Sequence, residues 1–189
     1  QPTRVVVGNV AGQHSEQAIG EIVQDLWRLP VEFLHSTESC CGVTNCYADP
    51  AQLGVDRWLA MVAARHIVEG PVIVIDCGTA VTIDLVDDKG AFRGGVIMAG
   101  LGLSRAALRA GTAILDVYGQ HHITATASST ADAVNTGTLL GLAGAIERVV
   151  REQSELVGTT PDILLCGGDA ESLLMQCNFS VEMHPDLVL

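Results

Sequence analysis

Residues 75–84, Ile75-Asp76-Cys77-Gly78-Thr79-Ala80-Val81-Thr82-Ile83-Asp84, constrain the fold more than any other stretch of this chain. The apolar run Pro71 to Ile75 delivers Asp76 to a strand end, and a glycine and two hydroxyls follow where the chain turns back. Two readings share the pattern. In one it is a β-hairpin whose turn uses Asp-x-Gly chemistry. In the other it is a phosphate site without a helical P-loop. Gly78 would then admit a bound group close to the backbone, and Thr79 and Thr82 would present N–H and O–H donors. Asp76 would hold a cation that neutralises the phosphate oxygens.

The charge balance narrows the partners. The chain has 189 residues and a net charge of −12, and Lys89 is its only lysine. An acidic chain of this kind lacks the footprint for nucleic acid or an anionic membrane surface. Without a Gly-x-x-x-x-Gly-Lys-Ser/Thr segment it has no Walker loop either. An anionic ligand must be held by a few arginines, backbone N–H groups and metal ions. Hydrophobic residues reach 48% with only 4% aromatics, so the core is built of Val, Ile, Leu and Ala, which favours an α/β fold. Six cysteines (Cys40, Cys41, Cys46, Cys77, Cys166, Cys177) show no C-x-x-C pairing. Reduced thiols and a cytoplasmic location are expected, with no apolar run of membrane-spanning length. The first residue is Gln1 and the last segment is Leu187-Val188-Leu189, and both ends are expected to be cut rather than finished.

Periodicity predicts a strand over Arg4–Val10, a helix over Ser15–Leu29 and a strand over Val31–His35. Ser36–Pro50 reads as a long Cys-rich loop, followed by a helix from Leu53 to Val68 with Val55, Leu59 and Val62 on its apolar stripe. Three strands follow, Val72–Asp76, Val81–Asp87 and Ala91–Met98, the last two joined by the turn Asp87-Asp88-Lys89-Gly90. A helix from Gly100 to Leu115 and a loop over Asp116–Ser128 lead to a long helix from Thr130 to Leu156, capped by Ser129 with Asp132 three residues on. A strand Asp162–Cys166, a short helix Ala170–Gln176 and a strand Phe179–Met183 complete the order β-β-β-α-α-β-α-β from residue 71.

Each candidate site has a plain structural alternative. Asp56 and Arg57 open a helix side by side. A carboxylate turned about 100° from the apolar stripe suits a general base, and Arg57 can fix a substrate anion. Acidic residues also populate helix first turns because the macrodipole favours them. Gly94-Gly95, Gly100-x-Gly102 and Gly167-Gly168-Asp169 can border a phosphate, sugar or base, or serve tight turns alone. Gly137, Gly141 and Gly144 share one face of the long helix, where a partner helix across a dimer axis or a flat sheet would offset about 1 kcal/mol each. His121 and His122 read as surface residues.

Taken in order, these segments resemble the type III pantothenate kinases, members of the actin-like ATPase superfamily that includes acetate and sugar kinases. The resemblance rests on Tyr47-Ala48-Asp49-Pro50, then Leu53-Gly54-Val55-Asp56-Arg57-Trp58, then Asp76-Cys77-Gly78-Thr79-Ala80-Val81-Thr82. Gly94-Gly95-Val96-Ile97 with Gly100, Ser129-Thr130-Ala131-Asp132-Ala133-Val134 and Gly167-Gly168 continue it. It implies an α/β, actin-like (ribonuclease H-like) ATPase fold of two half-domains. Residues 1–68 would be the remainder of the first plus a substrate-binding loop and helix, and 69–189 the second. Family members begin with an Asp-x-Gly-Asn-Thr phosphate loop. Gly8-Asn9-Val10 lacks its aspartate and threonine, so the first half-domain is expected to be truncated at its N-terminus.

The resemblance also implies roles. Asp56 would accept the proton of the pantothenate primary hydroxyl, with Tyr47, Gly54, Val55, Arg57 and Thr130 around the substrate. Asp76 would hold a monovalent cation (K+ or NH4+), Thr79 would contact ATP, and Gly78, Gly167 and Gly168 would border the nucleotide with its Mg2+. A homodimer with the pocket near the subunit interface is implied. The function expected is ATP-dependent phosphorylation of pantothenate to 4'-phosphopantothenate, the first step of coenzyme A synthesis. The alternatives are a non-catalytic regulatory protein similar to the Bvg accessory factors, and another small-molecule kinase or phosphatase of the superfamily.

Overall fold

A computed structural model of the chain describes residues 1–112 and 123–188. His121, His122 and the end of the helix expected to reach Leu115 lie outside the described residues.

The order expected from residue 71 is the order observed. Strands β5 (Val72–Cys77), β6 (Ala80–Val86), β7 (Phe92–Ala99), β8 (Asp162–Cys166) and β9 (Glu182–Met183) form one sheet in the order β7-β6-β5-β8-β9. β5 and β6 are antiparallel, as are β6 and β7, whereas β8 lies parallel to β5 and β9 parallel to β8. Pleating sends alternate residues to opposite faces. Ile73, Ile75 and Cys77 of β5 join Val81, Ile83 and Leu85 of β6 under helices α4 (Thr130–Val157) and α5 (Ala170–Leu174). Val72 and Val74 face the other way, against Trp58, Met61 and Ala64 of helix α2 (Val55–Ile67). Asp76 and Asp84 share the parity of Val72 and Val74, so two carboxylates lie on the α2 side of a sheet whose other face is apolar.

Ahead of this sheet, β1 (Val5–Gly8) pairs in parallel with β2 (Val31–Leu34) across helix α1 (Gln13–Trp27). The turn out of α1 is made by Arg28 in the left-handed region (φ 59), whose N–H donates to the Gln24 carbonyl at 3.1 Å, ahead of Pro30. Of the apolar residues at helical spacing on α1 (Ile19, Ile22, Val23 and Leu26) only Val23 is buried, while Ile22 and Leu26 are exposed.

Three expectations need correction. Ser36–Pro50 is not a plain loop: β3 (Ser39–Cys40) and β4 (Val43–Thr44) form a hairpin closed by Cys41 (φ 48) and Gly42 (φ 82). Two successive positive φ values are those of a type I′ turn, which Cys-Gly disguises because Asn-Gly is its usual sequence. The last strand shrinks from Phe179–Met183 to Glu182–Met183. On α2 the side facing the sheet runs through Trp58, Met61 and Ala64, with Val62 half-buried against the same cluster, instead of through Val55 and Leu59. Val55 and Leu59 serve a second surface, packed on Gly8 of β1, where a Cβ would stand 3.0 Å from Leu59 Cδ1.

The long helix α4 starts as expected. The Ser129 hydroxyl accepts the Asp132 N–H at 3.1 Å and donates to the Asp132 carboxylate at 2.8 Å. α3 (Leu101–Gly111) crosses the same side, and among the described residues no helix is long and apolar enough to cross a membrane.

Candidate active site

The β5–β6 hairpin bears out the turn reading of residues 75–84. Gly78 and Thr79 form a two-residue connection, the Gly78 N–H donates to the Ala80 carbonyl at 3.1 Å, and Asp76 stands opposite Thr82 in the ladder. Thr79 is exposed at the turn and Asp76 half-buried beneath it. Gly78 is not in the left-handed region and a Cβ there would make only ordinary contacts at 3.6 Å, so the fold itself does not demand its small size. Gly167 differs. It has φ +95, and a Cβ would lie 2.6 Å from Asp76 Oδ1 and closer to the Cys77 carbonyl, so the β8 end must be glycine to pass Asp76. The neighbouring Gly168 is exposed with open space around it.

Helix α2 brings its first turn to the same sheet end. The Asp56 carboxylate accepts the Arg57 N–H at 2.7 Å and crowds the Cβ position of Gly54 at 2.7 Å. Burial pushes the Asp76 carboxyl above the usual carboxylate range, the negative charge of Asp56 pushes it further, the Cys166 thiol lowers it and Asp84 adds a smaller upward push. Asp56 and Asp76 therefore stand near enough for their charges to repel one another.

Arg57 does not stand beside them as a free cation. Its side chain is 7% exposed and that of Asp84 1%. Arg57 Nε donates to Asp84 Oδ2 at 2.9 Å and Nη2 donates to Asp84 Oδ1, a forked pairing, while Nη1 donates to the Tyr47 hydroxyl at 3.3 Å. Burial lowers the Arg57 pKa, but its hydrogen bonds and charge attraction to Asp84, with the Tyr47 hydroxyl, together outweigh this and leave it raised. Burial also raises Asp84, and the guanidinium only partly compensates. The loop carrying Tyr47 is pinned by the buried Asn45, whose side-chain oxygen accepts the Tyr47 N–H at 3.0 Å and whose amide donates to Thr37 and Pro50 carbonyls.

The structure thus places Tyr47, Gly54, Asp56, Arg57, Asp76, Gly78, Thr79 and Gly167 near one another, and with them Asp84, which sequence reasoning missed. Its signal was present: a carboxylate in the middle of the apolar strand Val81–Val86, at a position the two-residue turn pairs with Val74. Thr130 is set apart. It opens α4 and lines an exposed groove of about 600 Å³ between α3, α4 and β7, with Met98, Leu108, Gly137 and Gly141 among its walls. Among the described residues no hydrogen bond joins it to the cluster. The helix glycines 137, 141 and 144 are all exposed within the chain, and an added Cβ at each would meet nothing.

A carboxylate at a helix mouth beside an acidic strand end and an exposed hydroxyl turn is the equipment of a phosphotransferase acting on an alcohol. Residues 1–152 match the family model described as type III pantothenate kinase. The chain is 37% identical over 189 residues to the type III pantothenate kinase of Nitrosospira multiformis, covering 100% of this chain and 71% of that protein. It is 40% identical over 190 residues to that of Alkalilimnicola ehrlichii, covering 100% and 76%. Among solved structures, a Baf family protein from Campylobacter jejuni has the same fold with a TM-score of 0.62 at 20% identity, covering 100% of this chain and 79% of that one. The chain belongs to the type III pantothenate kinase family.

Proposed function

We propose that this protein transfers a phosphoryl group from ATP to the primary hydroxyl of pantothenate, giving 4'-phosphopantothenate, the first step of coenzyme A synthesis in the cytoplasm. The observation that carries this reading is the meeting of Asp56 with Asp76 at one sheet end, near enough for one charge to raise the pKa of the other. Asp56 accepts the alcohol proton as its oxygen attacks. Tyr47, Gly54, Val55 and Arg57 surround the substrate, and Thr79, Gly78, Gly167 and Gly168 border the nucleotide. ATP, when bound, supplies the electrophilic phosphorus and an ADP leaving group. The rest of the catalysis is positioning and charge neutralisation, for which no lysine is required.

The acidic cluster fits the cations this reading needs. Among the described residues no group of three His, Cys, Asp or Glu is arranged to hold a metal, and Asp76 has no ion-pair partner. A single crowded carboxylate suits a cation completed by backbone and phosphate oxygens, which is how Mg2+ and the larger monovalent ions K+ and NH4+ sit beside nucleotides. Asp76 is assigned the monovalent ion.

The sheet order supports an actin-like fold in which 69–189 form one half-domain and 1–68 belong to the other. The apolar groove lined by Thr130 and the open glycine face of α4 support a homodimer, in which Thr130 reaches the substrate pocket near the interface. The test is Asp56→Asn in an ADP-release assay with pantothenate, ATP, Mg2+ and either K+ or NH4+. Turnover should fall by about 10²–10⁴-fold with the circular dichroism spectrum unchanged. Wild-type turnover by the variant removes the assignment.

A further inference from the structure

The Arg57–Asp84 pair is buried, forked and immediately beside the proposed base, yet a buried ion pair is a weak device for stability alone, since an apolar pair of similar volume often serves as well. Its surroundings are specific. The Arg57 guanidinium carbon lies 5.8 Å from the centre of the Phe92 ring, and the Phe92 and Tyr47 rings are 5.7 Å apart. Gly95 stands directly opposite Asp84 across β6 and β7. A Cβ at Gly95 would overlap Asp84 Oδ1, lie 2.6 Å from the Ile83 carbonyl oxygen and 2.9 Å from Arg57 Nη2. The glycine is therefore the slot in which the carboxylate–guanidinium fork sits, which accounts for half of the Gly94-Gly95 motif. With Nε and Nη2 committed to Asp84, the remaining nitrogen of Arg57 is directed to the Tyr47 hydroxyl.

Resting on the reading of the pantothenate pocket above, we propose that Asp84 is a positioning residue for that pocket: through Arg57 it fixes the Tyr47 hydroxyl, and Gly95 reserves the space that lets it do so. Asp84 and Tyr47 are joined only by way of the guanidinium. Loss of the carboxylate frees the fork to rotate, and the hydroxyl loses its donor. Loss of the Tyr47 hydroxyl leaves the fork intact but with nothing to hold. The two lesions lie in series, so their effects do not add.

The experiment is a steady-state series on the whole chain, with Asp84→Asn, Gly95→Ala, Tyr47→Phe and the Asp84→Asn/Tyr47→Phe double variant. Asp84→Asn and Gly95→Ala should each raise KM for pantothenate about tenfold or more, with kcat and KM for ATP within about threefold. Tyr47→Phe, which deletes one atom from a half-buried side chain and keeps the fold, should raise the same KM by about threefold or more. The double variant should be no worse than Asp84→Asn alone. A Tyr47→Phe enzyme with the wild-type KM overturns the proposal even if the Asp84 variant fails to fold, and so does full additivity in the double variant. A wild-type chain inactive toward pantothenate, or an active Asp56→Asn, overturns the functional reading itself and is seen separately.

Discussion

Gly100 stands at the junction of β7 and α3, and replacing it with alanine separates steric demand from backbone conformation. Its φ of −68 is available to any residue, so alanine brings no torsional strain. What it brings is a Cβ 2.7 Å from the Thr79 carbonyl oxygen and nearer still to that of Gly78. Both obstacles are backbone, so no side chain can rotate away. The β5–β6 turn must recede by about 0.7 Å at Thr79 to reach ordinary contact, and by more at Gly78. The Gly100 N–H now donates to that same Thr79 carbonyl at 3.0 Å, so recession stretches the bond that ties α3 to the turn. Overpacking typically costs about 1–3 kcal/mol and a weakened buried hydrogen bond about 1. A total near 3 kcal/mol lowers Tm by about 6–12 °C in a chain of this size. Gly102→Ala is the control. It lies in the first turn of α3 with nothing near its Cβ, so helix propensity should raise Tm by about 1–4 °C. Thermal unfolding by calorimetry of both variants decides the matter. A Gly100→Ala protein melting within 2 °C of wild type, or equal losses in both variants, would refute the reasoning. Because Thr79 rides on the displaced turn, KM for ATP should rise in Gly100→Ala and not in Gly102→Ala.

Two further outcomes follow from the same geometry. Asp76 is an acid whose folded pKa is raised, so its contribution to stability is present below the unfolded value of about 3.9 and is lost as pH rises through the folded one. Asp76→Asn should therefore raise Tm at pH 7 in the absence of ligands, with the advantage shrinking as pH falls toward about 4, while turnover loses its dependence on K+ or NH4+. A lower Tm at pH 7 in calorimetry would show that burial and Asp56 do not burden this carboxylate. Gly137→Ala and Gly141→Ala should each add about 0.5–1 kcal/mol to an isolated α4, since the new methyl meets nothing within the chain. Where a second copy packs on that face, the same methyls should weaken the dimer in sedimentation velocity, and an unchanged association constant would remove the glycine face from the interface.

Why the cluster was only partly legible in the sequence follows from the range of each constraint. Asp76, Gly78 and Thr79 lie within four residues, and the apolar run before them and the two-residue connection after them are local signals that fixed both strand and turn. The hairpin even carried the long-range information needed for Asp84, since a connection of Gly78 and Thr79 sets the register that places it opposite Val74. The expectation went wrong where a helix serves two surfaces. Val55, Leu59 and Val62 form a periodic stripe, but Val55 and Leu59 pack on Gly8 and a different stripe of α2 faces the sheet. Periodicity identifies an apolar face without saying which neighbour it meets, so the burial of Arg57 on Asp84 by the docking of α2 was not legible in the sequence. The consequence reaches the chemistry: a guanidinium already paired with Asp84 does not offset Asp56 and Asp76, so the cations proposed for this sheet end answer to that pairing and not to the net charge of the chain.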